Sequence, residues 1–445
     1  MCRGCPLSYT LAAHHAHQSV RNFRTRDVAV RLTTMGAAAR IVFASTVGLL
    51  AETAQRHKLV PRCNAQRSLL QLVGTHLSFT NLLAALQEGE ERVASRFALG
   101  ETVISTEALA IGECRCCVRG NDNTSENLGM QQRLSLPLKV DRFLYGQAQP
   151  FSSVTAASLD DFCNAKGHSH VRGGRHKDDT MNEVPCSQIA PLALDGVPSE
   201  KLLRYFHSNI SLHGHNFFRQ SEASTAALWC CTDVDDQSVI DPLQRVSGES
   251  KDSNDEAGAA LGEAIRRDSF SYGVLVQPLV ASAELESKIH TLQCSLIRAS
   301  IAAPEIFSEL TGRAVRSGLA CQDTLALVTG DYEGAYAAAL AARQVTQDPM
   351  NAAPVIEGVR KQLDLDSCNC LSLDCTTLMR SGLDYFCRCS KDSFLKAVTA
   401  LPEEELLSLS RESSFRCTYC AKVHQLHKED WERLFKLRSS GRLVE

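Results

Sequence analysis

No apolar run in this sequence is long enough to span a bilayer. The longest, IVFASTVGLLA from Ile41 to Ala51, is broken by polar residues and fits a buried helix. Charge of either sign is not in excess. A net charge of -4 over 445 residues gives no electrostatic pull toward nucleic acid or an anionic membrane. The opening, MCRGCPLSYTLAAHHAHQ, lacks the apolar core of a secretory signal, and no internal repeat is visible. A disulfide scaffold is excluded as well, because the 19 cysteines make up only about 4% of the chain. These absences predict a reducing, intracellular compartment, where grouped thiols bind metal or sense redox state. The expected location is cytoplasmic. Arg3, Arg21, Arg24 and Arg26, with no acid before Asp27, weakly resemble a transit peptide and keep a mitochondrial alternative open.

What is present is ordinary for a globular protein: 44% hydrophobic and 22% charged residues, in a chain long enough for two or three domains. DVAVRLTTM alternates like a strand, and SLLQLVGTHLSFTNLLAALQ carries apolar residues at helical spacing. SLPLKVDRFLYGQAQPFSSVT reads as strand, turn and strand, punctuated by Gly146 and Pro150. STAALWCCTDVD and FSYGVLVQPLVAS read as further strands. Two polar, Gly- and charge-rich stretches without periodicity, about 164–198 and 245–268, read as surface insertions. After Ala283 the character turns helical, and no strand is expected before the last cysteines. The expected class is therefore α+β: a flexible terminus (1–19), a mixed domain (20–283), a helical connector (284–380) and a small cysteine module (381–445).

The module carries the chemistry. Cys387 and Cys389 form a C-x-C pair, and Cys417 and Cys420 form a C-x-x-C pair. Spacing alone is weak, since Cys2/Cys5, Cys114/Cys116/Cys117 and Cys368/Cys370 offer similar short intervals. The segment between the two pairs separates them from these decoys. KDSFLKAVTALPEEELLSLSRESS holds two helical patterns, with Pro402 and Glu403 to Glu405 suited to a first helical turn. HKEDWERLFKL follows, with Trp431, Leu434 and Phe435 available to pack on them. So few apolar residues make too little core for a stable unit. Four thiolates on one Zn²⁺ would supply the missing stability. Arg388, Lys391, Arg416 and Lys422 are expected to offset the negative charge of such a centre. An iron–sulfur cluster remains an alternative, although C-x-C spacing is less usual for one.

Here the sequence resembles the redox-regulated heat-shock protein 33 family of chaperones, whose C-terminal signature is C-x-C, a spacer and C-x-x-C. FCRCSKDSFLKAVTALPEEELLSLSRE is similar to that motif beyond its cysteines. VRNFRTRDVAVRLTTM, FLYGQAQPFSSVT, LLRYFHSN with RQSEAS, and YGVLVQPL resemble other segments of the family. HSNISLHGHNFF splits one of these segments, and CAKVHQL lacks the family's Gly-Asn after the last cysteine. The resemblance implies a holdase that binds unfolding proteins in the stress response to oxidants, without turnover. It also implies that in the reduced state one zinc is held by Cys387, Cys389, Cys417 and Cys420, and that oxidation forms Cys387–Cys389 and Cys417–Cys420 disulfides, releases the metal and unfolds the module. The implied partners are client proteins and, when oxidised, a second copy of the chain; no nucleic acid or membrane is expected.

A zinc-ribbon nucleic-acid binder is the rival reading, disfavoured by the charge balance. A C-x-x-C oxidoreductase would need a βαβ context that the tail does not show. His168, His170, His176, His207, His213 and His215 read as exposed loop residues rather than ligands. Cys114, Cys116 and Cys117 read as small, partly buried strand residues, while Cys368 and Cys370 lie close enough upstream to compete for zinc.

Overall fold

The structure of the chain, a computed structural model, describes residues 27–60, 64–120, 136–147, 149–156, 209–234, 253–289, 293 and 373–439. It is an α+β architecture built on a ten-stranded sheet. The chain enters through β1 (Asp27–Thr34) and β2 (Ala39–Ser45), then two helices, α1 (Val47–His57) and α2 (Asn64–Ala84). β3 (Arg92–Leu99), β4 (Thr102–Leu109), β5 (Glu113–Arg119), β6 (Pro137–Phe143) and β7 (Phe151–Ala156) follow. Next come α3 (Ser211–Ser221), β8 (Ala227–Asp233), α4 (Ser253–Asp268), β9 (Phe270–Pro278) and β10 (Leu373–Tyr385).

The strand order is β7-β6-β3-β4-β5-β10-β1-β2-β9-β8. β10 is thus the seam between two antiparallel half-sheets. It runs antiparallel to β1, with Asp27 opposite Leu383, and parallel to β5, with Tyr385 opposite Cys114. The β4–β5 turn can meet it this closely because residue 112 is glycine. Gly112 has φ 95°, and a Cβ there would lie 2.0 Å from the Gly382 carbonyl oxygen.

α2 packs across the sheet and is buried on more than one side, through Leu70, Val73, Leu77, Phe79 and Leu82. α3 lies beside it, and Gly214 lets the two approach: a Cβ there would come within 3 Å of Phe79 and Leu228. Among the described residues, no helix is long and apolar enough to cross a membrane.

Several expectations need correction. Ile41 to Ala51 is not one helix. Ile41, Val42 and Phe43 finish β2, and the helix starts only after Thr46, as β-branched and aromatic residues favour. Residues 253–268 are not a structureless insertion. They form α4, whose Leu261, Ala264 and Ile265 are buried in the main core. His213 and His215 are not loop residues; α3 buries both, His213 edge-on to Phe97 at 4.9 Å and His215 donating Nδ1–H to the Ala226 carbonyl at 2.8 Å. Finally, the segment before the cysteines is not all helix. Helix does begin at residues 283–289, but β10 occupies 373–385 and crosses the expected boundary at 381. The terminus 1–19, the insertion 164–198, LLRYFHSN up to residue 208, Cys2, Cys5, Cys368, Cys370, His168, His170, His176 and His207 lie outside the described residues.

Asp27 begins β1 but serves α1. Its buried carboxyl accepts the Leu49 N–H at 2.7 Å, and also that of Gly48. Burial pushes this carboxyl up to about 7, against the pull of those N–H groups and of Arg266. The folded state therefore holds the proton more tightly than the unfolded chain. The stability this confers is complete below the unfolded carboxylate range near 4 and fades as pH rises to about 7. Relative to Asp27→Asn, the natural chain should lose about 1.4 kcal/mol per pH unit across that window, roughly 4 kcal/mol in all. Urea melts of both proteins from pH 4 to 8 measure this. A difference that stays flat with pH would contradict it.

Candidate metal centre

After β10 the chain forms a small module. α5 (Lys391–Val398) and α6 (Glu403–Leu409) precede a hairpin of β11 (Ser414–Arg416) and β12 (Val423–Gln425), and α7 (Lys428–Ser439) closes it. Ser390 caps α5 by accepting the Ser393 N–H at 3.0 Å. Pro402 precedes α6, whose first turn holds Glu403, Glu404 and Glu405. The module's own core is Val398, Leu406, Leu426, Trp431 and Leu434, with Phe394, Phe415 and Phe435 packed at its margin. This matches the expected packing of Trp431, Leu434 and Phe435, and it is a small core.

The β11–β12 turn brings Cys417 and Cys420 against Cys387 and Cys389, which follow the end of β10. The four sulfurs lie within 4.8 Å of one another. Cys387 Sγ is 3.6 Å from Cys417 Sγ, and Cys389 Sγ is 3.3 Å from Cys420 Sγ. Zinc–sulfur bonds of about 2.3 Å set tetrahedral sulfurs about 3.8 Å apart, so the four thiols fit one such ion with small adjustments. Among the described residues, the decoys do not gather this way. Cys114, Cys116 and Cys117 line β5 as buried residues, deeper than expected, and burial pushes Cys114 up to about 12 and Cys116 higher still. Such thiols are inert.

Three of the clustered thiols behave differently from one another. Burial opposes ionisation of Cys417, but the N–H groups of Cys420 and Tyr419 and the Cys387 thiol bring it down to about 7. Cys387 and Cys389 are raised, first by burial and then by their neighbouring sulfurs. Of these three thiols, then, only Cys417 is favoured as a thiolate. Ionising all four sulfurs requires a positive ion among them, which is the role a soft divalent metal fills.

The loop bearing Cys417 and Cys420 is fastened to the sheet. The Tyr419 carbonyl accepts from the His57 Nε2–H at 2.8 Å and from the Tyr385 hydroxyl, and both donors also reach the Cys116 carbonyl of β5. Arg56 lies over the Tyr385 ring at 4.6 Å and reaches the Cys420 carbonyl at 3.5 Å. Arg115 stacks on the Tyr419 ring at 4.3 Å, points one N–H at Cys387 Sγ at 3.8 Å, and is held by Glu107 at 2.7 Å. Burial alone would weaken its charge, but Glu107 and Cys387 overcome that and raise it.

Of the expected charge-offsetting residues, Arg388 is paired with Glu113 at 2.7 Å and Lys391 with Asp430 at 2.9 Å. Arg416 bonds the Ala421 carbonyl at 3.1 Å. Among the described residues, the cation that touches a cluster sulfur is Arg115, from a distant strand, which no local spacing could reveal. His424 was also missed; its Nε2 lies 3.3 Å from Cys389 Sγ, and its ring stacks on Phe415 at 4.7 Å.

Arg115→Met should lower stability by about 2 kcal/mol, because Glu107 would remain half-paired in a buried setting. It should also speed metal transfer from reduced protein to a chromogenic chelator. An unchanged transfer rate would show that the stack on Tyr419 does not hold the loop.

No protein-family model matches the chain, and no curated protein matches it. Among solved structures it is similar to the 33 kDa chaperonin (heat shock protein 33 homolog) of Thermotoga maritima. That likeness has 12% sequence identity and a TM-score of 0.49, and it covers 94% of this chain and 99% of that one.

Proposed function

We propose that the protein is a redox-regulated chaperone of the holdase type, in which Cys387, Cys389, Cys417 and Cys420 hold one zinc ion in the reduced state. The observation that carries this reading is the convergence of these four thiols, within 4.8 Å, on a module whose own buried core is five side chains. Zinc bound there keeps four sulfurs as thiolates and ties the two ends of the module together. The C-x-C and C-x-x-C motif, with its Leu-Pro-Glu-Glu-Glu spacer, supports the same reading through its family resemblance.

The thiols do the sensing. A thiolate attacks one peroxide oxygen, becomes a sulfenic acid and releases hydroxide. A neighbouring thiolate then displaces the second hydroxide and closes a disulfide, so each pair reduces one peroxide to two waters once protons are taken up. We assign the bonds to Cys387–Cys389 and Cys417–Cys420. The short cross-pair sulfur distances, Cys387 to Cys417 and Cys389 to Cys420, belong to the assembled centre. Once its ligands oxidise, near neighbours in sequence remain in reach while the pairs separate. The C-x-C bond closes a tight ring and is easily reduced again. Loss of the centre frees the loop around Tyr419 from His57, Tyr385 and Arg115, and the module unfolds away from the sheet. Client binding follows from the surface this uncovers, and the chain catalyses no turnover.

The test is to count zinc and free thiols before and after peroxide treatment, alongside suppression of aggregation of an unrelated unfolding protein. One zinc lost with four thiols, together with the onset of suppression, supports the reading. Suppression by the reduced, zinc-loaded chain equal to that of the oxidised chain would sink it.

A further inference from the structure

A second cleft lies beside the thiol centre, along the seam between the module and the end of α1. It measures about 480 Å³ and is lined by Arg56, His57, Lys58, Arg119 and Arg416, together with Cys417 and Thr418. Among the described residues, no carboxylate lines it. Glu52 pairs with Arg56 at 3.0 Å and with Arg266 at 2.6 Å, one helical turn back from the cleft. Lys58, Arg119 and Arg416 make no ion pair among the described residues. Like charges in one cleft repel one another, and this gathering sits in a chain whose net charge is -4. The positive potential is therefore local.

Compensation of the thiolate centre does not account for this set. The guanidinium that meets a cluster sulfur is Arg115, on the other side of the loop, in the cleft lined by Glu107 and Glu113. Arg416 turns its Nε–H to the Ala421 carbonyl, and Arg119 reaches Cys117 of its own strand. Lys58 ends α1 with a left-handed backbone, φ 55°, and its side chain is exposed.

We propose that this cleft binds a small phosphate-class oxyanion, such as a diphosphate or a phosphate ester, across the seam. Arginine forks and a lysine ammonium are the side chains that recognise such groups. Lys58 and Arg56 come from the sheet-bound helix and Arg119 from β5, whereas Arg416 comes from the module. A ligand touching both sides stabilises the docked state and so delays release of the module. A nucleic-acid strand fits less well, since among the described residues no Phe, Tyr or Trp lines the cleft to stack a base. The second effect, though not the binding itself, rests on the redox-switch reading above.

The experiment titrates inorganic pyrophosphate into the reduced, zinc-loaded full chain by calorimetry, with zinc counted before and after. The comparison is the double variant Lys58→Asn, Arg119→Gln. Asparagine tolerates the left-handed backbone, and neither residue ligates the metal. One pyrophosphate should bind per natural chain, at least tenfold more weakly to the variant, with zinc content and melting midpoint unchanged. Pyrophosphate should also slow thiol loss to peroxide several-fold in the natural chain and not in the variant. Absent binding, equal affinity in the variant, or tighter binding of a single-stranded oligonucleotide would each overturn the site. Binding without slower thiol loss would overturn its effect on the module. A chain that binds pyrophosphate but holds no zinc would keep the site and remove the metal reading instead.

Discussion

Removal of the metal from the reduced chain, or Cys420→Ser, is expected to unfold residues 391–439 while the ten-stranded sheet stays folded. The reason is the disparity between the two cores. The sheet and its helices bury Leu50, Leu70, Val73, Phe79, Leu228 and many more around one contiguous core. The module has Val398, Leu406, Leu426, Trp431 and Leu434. Structural zinc contributes on the order of 10 kcal/mol to folding, against a typical domain margin of ~5–15 kcal/mol. Without the proposed ion the module is expected to lose most or all of its margin. Cys420 is the most buried of the four thiols, and a serine there leaves a hard, weakly acidic hydroxyl where a soft thiolate stood. Hydrogen exchange should show protection lost across α5, α6 and α7 and retained in α2 and β9. Persistent protection of those three helices in metal-free protein would show that the module stands without its ion.

The second large effect is a gain of client binding on oxidation. In the reduced state the Tyr419 carbonyl is clasped by His57 and Tyr385, while Arg115 covers the Tyr419 ring. The proposed Cys417–Cys420 disulfide would close a ring around Thr418 and Tyr419, and this tightening is expected to turn that carbonyl away from both donors. With the clasp open, the outer side of β5 and the end of β10 lose their cover. Oxidised protein is expected to suppress aggregation of an unfolding client near equimolar ratio, and reduced zinc-loaded protein to do so at least tenfold less well. Non-reducing peptide maps should find Cys387–Cys389 and Cys417–Cys420. A map dominated by Cys389–Cys420 would place the oxidation inside an intact module and remove this route to activation.

How much of this was legible depended on whether the information was local. The helix at 64–84 and the strand at 27–34 follow from periodicity, the strand at 270–278 from its short apolar run, and the module's helices from the helical pattern with Pro402 and the glutamates after it. The four thiols stood out because helical context surrounded them and not their decoys. β10 was hidden because LDCTTLMRSGLDY neither alternates nor runs apolar. Its strand character is supplied by the two neighbours it sits between. α3 was hidden for a related reason: His213, His215 and Asn216 look like surface residues, and only tertiary packing buries them. Arg115 and His57 reach the centre from far away in sequence, so no spacing rule could have found them.

The position of β10 also bears on how the chain is made. Synthesis delivers β1 and β2 first, then β3 to β7, and later β8 and β9, so both half-sheets exist before residue 373 leaves the ribosome. Until then β1 and β5 each present a bare row of backbone donors and acceptors, the kind of edge that recruits foreign strands. The strand that pairs along β1 and meets the start of β5 is followed at once by Cys387 and Cys389. A nascent chain therefore completes its sheet and acquires the first half of its thiol cluster within one short stretch of translation, and a message truncated before that point yields two sticky sheets rather than a smaller working protein.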